Sequence, residues 1–356
     1  MPNVLAALFR NFGPPLGLKR FTVRQKFASH SLAWLDYDIA DRAEYIMPPE
    51  HTPVEVRWGV SPVGVRSFYG YVNHYETLVE DGVPFTRLWV LGTSKVMNAN
   101  NPRTWHWSSR SAIARDIART HNLRSLVHPH HHVVETWATG TRTDFQALQD
   151  LAAEIGYQVW VDGSTLYFLD PEKVLSGPQT LSIPSFGTES LHRVKISGGS
   201  SAKSRAKRQV VYGLDRVSNE LFVATGGDQD YEQEMVNTPV LSFSAAELAT
   251  EAAKRVQNDY YTAQVVADGN SAVFPGALIE LPNGKHNTDQ GGRWVTTEAS
   301  HVVSSDLFTT SFTATRGKGF YLPRRTTTVR GTTEFLRAQV RNGKVWEAEF
   351  QEHVYV

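Results

Sequence analysis

The chain has 356 residues, 41% hydrophobic and 11% aromatic, which is enough for two or more domains with real cores. Its 36 basic residues balance 36 acidic ones, which argues against tight, sequence-independent DNA binding because that needs a clustered positive surface. Cysteine is absent, so disulfides and thiolate metal sites are excluded, and no apolar run approaches the roughly 18 residues of a membrane span.

Taken in chain order, residues 1–20 read as an N-terminal arm containing Gly13-Pro14-Pro15 and Gly17. Its apolar stretch, Val4 to Phe9, follows no basic segment, so no signal peptide is expected. From Phe21 to about Leu91 the signal is short strands. Val54, Val56 and Trp58 alternate, Phe68 to Val72 alternate more loosely, and Leu88 to Leu91 is an apolar run. Pro48-Pro49, Ser61-Pro62 and Asp81-Gly82 separate them as turns. A small antiparallel barrel or sandwich over 21–103 is the expectation.

Residues 104–184 read differently. An amphipathic stretch from Thr104 to Ser125 leads into a polar, His-rich loop, and a second helical pattern follows. Phe145, Leu148, Leu151, Ala152 and Ile155 recur at helical spacing. Thr143 or Asp144 can cap the start, and Gly156 stands where a helix end wants a left-handed residue. Tyr157, Val159 and Val161 then alternate, Asp162-Gly163 makes a turn, and Leu166 and Phe168 alternate back.

Strands return over 185–322, at Arg193 to Ser197, Gln209 to Tyr212 and Glu220 to Ala224. A helix at 245–261 opens on the capping box Ser244-x-x-Glu247, with Leu248, Ala252 and Val256 as its stripe. Ala263 to Ala267, Leu278 to Leu281, Arg293 to Ala299 and Leu307 to Thr315 follow as strands. The set predicts a second barrel with one helix attached, then a polar C-terminal tail, 323–356, with a hairpin around Asn342-Gly343. The fold class expected is β-rich α+β.

The order of helix, aromatic-rich strand, Asp162-Gly163, strand and Asp170-Pro171 resembles the hub domain of phage late control protein D and its relatives. These include baseplate hubs of long-tailed phages and the base of type VI secretion spikes. The second β region resembles them as well, through Thr238-Pro239, the helix, Phe274-Pro275-Gly276, Gly291-Gly292, Trp294-Val295 through His301, and Thr309-Thr310-Ser311-Phe312. The match covers roughly 104–317 and is less sharp over 21–91. The resemblance implies two tail-tube-like β barrels with the α/β insert between them, and a structural role with no catalytic motif to carry over. It implies a homotrimeric ring that adapts a six-fold tail tube, or a distal tail protein, to a three-fold tip or spike protein. DNA would pass only in transit through the lumen. The expected place is the virion tail tip or baseplate, assembled in the host cytoplasm.

Alternatives are the hub of a contractile injection device, a tail-associated hydrolase and a carbohydrate-binding module. About 34 residues follow Leu322, so no built-in spike is expected.

The residues themselves support no catalytic, cofactor or metal assignment. His128, His130, His131 and His132 are adjacent around Pro129. Neighbours on an extended chain face opposite ways, so the four cannot converge on a metal, and they read as a solvated loop or subunit contact. Lys203, Arg205, Lys207 and Arg208 follow a Gly-Ser run and read as a flexible solvated loop between strands, at a subunit seam or the lumen if a ring forms, with contact to nucleic acid or an acidic partner surface as the alternative. His286, Asp289 and His301 imitate a metal-hydrolase set without its helical motif, and His301 reads as a satisfied residue at a barrel end. Trp105 and Trp107, two apart, are expected on one face of a strand, and the scattered tryptophans read as core and interface.

Overall fold

The computed structural model of the chain describes residues 3–9, 17–38, 48–60, 64–131, 133–170, 174, 185–198, 208–215, 220–227, 234–235, 261–282, 292–316, 336–337, 340–341 and 344–345. They fall into two compact units, one drawn from 1–153, 157–196 and 263–315, the other from 154–156, 197–262 and 316–356.

In the first unit the opening region supplies β1 (Asn3–Phe9), β2 (Leu18–Lys26), β3 (Leu32–Tyr37), β4 (Pro53–Val60), β5 (Arg66–Glu80) and β6 (Val83–Gly92), with a 3₁₀ turn at Thr93–Met97. The insert supplies β7 (Thr104–Ser109), α1 (Arg110–Thr120), β8 (Arg124–Val127), β9 (Val133–Ala138), α2 (Asp144–Ile155), β10 (Gln158–Asp162) and β11 (Thr165–Leu169). After it come a 3₁₀ turn at Thr188–Ser190 and β12 (Leu191–Gly198). In the second unit β13 (Arg208–Asp215), β14 (Glu220–Gly227) and β15 (Glu234–Met235) follow. The chain returns to the first sheet with β16 (Tyr261–Asp268), β17 (Leu278–Leu281), β18 (Gly292–Ser304) and β19 (Phe308–Arg316). It ends in β20 (Leu336–Arg337), β21 (Val340–Arg341) and β22 (Lys344–Val345).

Strands from both β regions of the sequence join in one sheet. Its eleven strands run β1-β4-β5-β6-β3-β2-β18-β19-β16-β12, with β17 also on β18. The seam is β2 against β18, antiparallel from Arg20↔Ser304 to Lys26↔Glu298. No closed barrel forms among the described residues, and strands expected in separate barrels run side by side in a continuous sheet. The sheet curls nonetheless. Ala7 of β1 and Val303 of β18, with five strands between them in its order, share one core with Phe21, Leu35, Val56, Trp58, Leu88 and Val90.

Alternation writes this core. Val54, Val56 and Trp58 of β4 are buried, as are Ala33, Leu35 and Tyr37 of β3. β-Bulges reset the alternation where register shifts, between Val72 and His74 on β5 and between Thr296 and Glu298 on β18. On β18 the inward residues after the bulge are Ala299, His301 and Val303.

The insert keeps a core of its own. β10, β11 and β8 make a three-stranded sheet, with β8 parallel to β11. Ile113, Ile117, Leu148, Leu151, Val159 and Phe168 are fully buried. Both helices start as their sequences dictate. Ser109 Oγ accepts from the Ala112 amide at 3.2 Å. At α2 the Gln146 amide donates to Thr143 Oγ1 (3.2 Å) while Gln146 Oε1 accepts from the Thr143 amide (3.0 Å), a reciprocal capping box. Thr143 is thus the cap, and Asp144 begins the helix. Gly156 (φ 73°) ends α2, and Gly163 (φ 58°) turns the hairpin.

In the second unit β15-β13-β14-β20 form a four-stranded sheet. β21 and β22 pair on either side of the expected tail turn, Val340↔Val345 and Arg341↔Lys344. The helix expected at 245–261 lies outside the described residues, except for Tyr261, which starts β16.

Candidate assembly surfaces and the joint between insert and sheet

His301 is fully buried and both ring nitrogens are engaged. The Val273 carbonyl lies 2.9 Å from Nε2 and can only accept, so Nε2 carries the proton. Nδ1 then accepts from the Thr310 hydroxyl at 3.0 Å, and that oxygen accepts from the Asn270 amide at 2.9 Å. The ring packs on Trp58, 5.4 Å between centroids. Burial pushes its pKa down to about 3. A histidine with no free nitrogen inside a core is a structural residue, although it lies within β18, which runs on to Ser304, and not at the end expected from the sequence. His286 and Asp289 lie outside the described residues.

The histidine tract divides. His128 continues the small sheet, its amide donating to the Phe168 carbonyl (3.0 Å) and its Nδ1 accepting from the Asp170 amide (3.1 Å). His130 is only 8% exposed, so the reading of the whole tract as a solvated loop is corrected at this position. Its backbone bonds Ser111 Oγ in both directions at 3.2 Å, and its ring meets Tyr157 edge-on at 5.8 Å. Tyr157 closes the turn by donating to the Pro129 carbonyl at 3.1 Å. His131 is exposed, and His132 lies outside the described residues. Of the basic run, Lys203, Arg205 and Lys207 also lie outside them, while Arg208 opens β13 opposite Gly227.

The tryptophans separate by depth. Trp58, Trp294 and Trp160 are core residues. Trp105 lies 5.8 Å from Trp137 across the β7–β9 ladder and donates to Asp116 Oδ2 at 3.0 Å. Trp107 does not share that face. Its backbone is left-handed (φ 48°), and its side chain is 73% exposed. A bulky residue at positive φ is strained, and alternation alone could not foresee it. Val79 on the β5–β6 hairpin, 69% exposed, is the next most exposed large apolar side chain.

Several charges on the large sheet are paired, most of them across neighbouring strands. Buried Asp36 accepts from Arg20 Nε (2.7 Å) and from Arg87 Nε and Nη2 (2.7 and 3.0 Å). Arg24 Nε donates to Glu298 Oε1 at 2.6 Å across the seam. The Arg57 guanidinium beside Glu55 holds that carboxyl at about 2.

The insert meets the sheet at its hairpin tip. Asp162 Oδ2 accepts from Arg66 Nη2 on β5, and Oδ1 accepts from Gln25 Nε2 on β2 at 3.0 Å. Phe274 lies under the guanidinium, 3.9 Å from its centre. Thr93 donates to the Gly163 carbonyl, the Ala28 amide to the Val159 carbonyl (2.7 Å), and Gln149 Nε2 to the Ala28 carbonyl (2.8 Å). Trp160 stacks on Tyr167 (4.7 Å, 6°) and packs on Phe27 (4.8 Å). Gly276 fits there because a Cβ would come within 2.7 Å of the Trp160 ring. Sequence reasoning missed Arg66, Gln25 and Phe274, since nothing local marks them as partners of Asp162.

This fold is shared with known tail proteins. A tail protein from Neisseria meningitidis superposes with a TM-score of 0.67 at 12% identity, over 90% of this chain and 98% of that one. A 43 kDa tail protein of prophage MuSo2 from Shewanella oneidensis gives 0.67 at 11% identity, over 88% and 98%. An Escherichia coli component of the type VI secretion system, described as structurally similar to the T4 bacteriophage tail proteins gp27 and gp5, gives 0.60 at 11% identity, over 87% and 76%. No family model matches the sequence, and no curated protein matches it. At such identities the likeness is one of fold.

Proposed function

We propose that the chain is the structural hub of a long-tailed phage's tail tip or baseplate, without catalytic activity. The observation that carries this reading is the fold shared with the Neisseria tail protein over nearly the whole of both chains. In this reading 21–103 and 185–322 act as the two tube-like halves, 104–184 is the insert between them, and 1–20 and 323–356 are the arm and tail. Three copies form a ring presenting six such halves to the tail tube or distal tail protein and three-fold symmetry to a tip or spike protein. The virion tail tip is its place, and DNA crosses the lumen only in transit. The balance of 36 basic and 36 acidic residues supports passage without gripping. Exposed Trp107 and Val79 are apolar side chains that assembly would cover. Contacts at the barrel edges and at the loops around 128–136 and 198–208 belong to the same proposal, with His131 exposed in the first.

The likeness to the type VI component supports a second reading, the hub of a contractile injection device with a separate spike. Imaging of assembled particles tests both. Three copies on the tail axis are expected. Six copies, or a position off the axis, would overturn the adaptor mechanism, and the presence or absence of a contractile sheath separates the two readings.

A further inference from the structure

We propose that the contact of Asp162 with Arg66 is an electrostatic latch through which the insert docks on, and can release from, the large sheet as a unit. The two charges sit on separately stabilised bodies. Arg66 begins β5, whose sheet has its own core around Phe21, Leu35, Trp58 and Leu88. Asp162 ends β10, whose small sheet is covered by helices through Ile113, Ile117, Leu148 and Leu151. Both side chains are largely enclosed, at 19% and 17% exposure. Arg66 Nε is buried without a hydrogen-bond partner among the described residues. The guanidinium therefore depends on Asp162 and the Phe274 face.

Arginine cannot shed its charge, so a buried guanidinium deprived of its carboxylate must find water. Water reaches it most directly by parting the two bodies. Among the described residues the other ties across the joint are Gln25 on Asp162, Thr93 on Gly163, Tyr69 under Gly163, Ala28 with Val159 and Gln149, His30 stacked on Phe145 at 4.3 Å, and the seat of Trp160 on Phe27 and Gly276. Parting them leaves both hydrogen-bonded sheets intact and uncovers the faces of Trp160 and Phe145 that meet Phe27 and His30.

The test is amide hydrogen exchange on the full chain carrying Asp162→Asn. The reporter of the joint is the Ala28 amide, which donates to the Val159 carbonyl. The reporters of the bodies are the Arg124 and His128 amides, bonded to β11 and its turn, and the Gly92 amide, bonded to Ser31. Release as a unit predicts Ala28 exchanging about a hundredfold faster, the scale set by an unpaired buried charge, with Arg124, His128 and Gly92 within about threefold of native. Adding Arg66→Met removes the stranded cation and should return Ala28 to within about threefold of native. Unchanged Ala28 exchange in Asp162→Asn, or acceleration of all four amides together, overturns the latch. So does a double variant that stays fast at Ala28, or a single variant that fails to fold while the double variant folds.

Discussion

The seam of the large sheet and the core of the insert are built from opposite kinds of information. Across the seam, Arg24 meets Glu298, 274 residues away in sequence, and β2 pairs with β18 over seven residues. The insert is assembled from one contiguous stretch: two capped helices, a tight hairpin and a parallel strand, all between Thr104 and Leu169. Long-range pairing must close a large loop before any contact forms, whereas local pairing is reached early and cheaply. The insert thus draws its pairing from nearby residues, whereas the large sheet becomes continuous only when β2 and the distant β18 have come together.

Substitutions can break that comparison on either side. The largest effect is expected at Trp58, fully buried between Phe21 (6.5 Å, edge-on) and His301. Trp58→Ala should cost about 3–5 kcal/mol in chemical denaturation, with protection lost across β2, β4 and β18 before the β10–β11 hairpin. Simultaneous loss in both regions would show that they do not differ in independence. Leu148→Ala or Leu151→Ala, each removing a fully buried side chain of α2, should cost about 2–5 kcal/mol. There the order reverses, and the β2–β18 amides should stay protected longest.

Acid sharpens the comparison, because the strongly shifted histidine sits beside the seam. His301 has a folded pKa of about 3 against an ordinary 6.5, so below pH 6.5 the unfolded chain binds a proton that the native state refuses. Stability is full above pH 6.5 and falls as pH drops toward 3, by about 1.4 kcal/mol per unit from this one group. Burial lowers the pKa of His30 too and acts in the same direction. Denaturation midpoints measured from pH 7 to 4.5 should show the slope, and His301→Gln, lacking a group that titrates there, should flatten it. A slope unchanged in that variant would mean other groups govern acid sensitivity.

The smallest contrast lies inside the histidine tract. His130→Ala should cost about 1 kcal/mol through its lost edge-on contact with Tyr157, while His131→Ala should stay within about half a kcal/mol. Equal effects in thermal melts would deny the division of the tract into a buried and an exposed part.

Much of the insert was legible because each signal is local. Phe145, Leu148 and Leu151 needed only helical spacing, Gly156 only its left-handed end, and Asp162-Gly163 only its turn. Strand positions elsewhere were equally readable, with Leu278 to Leu281 matching β17 from end to end. The partners of those strands were not readable. Alternation says which side chains share a face, but not which strand lies alongside, and so two barrels were expected where one sheet runs through both regions. Trp107 escaped alternation because its backbone turns left-handed, a conformation not marked by a tryptophan codeword of any kind.

Composition, periodicity and caps alone determined that this chain is a β-rich protein with a helical insert and no thiol chemistry, because those properties depend on residues within a few positions of one another. Tertiary structure decided that β2 joins β18, that His301 is buried neutral, that His130 points inward while His131 does not, and that Asp162 closes on Arg66. Each of those outcomes depends on a partner brought from far along the chain, where burial and register, which no local pattern encodes, set the energy of the contact.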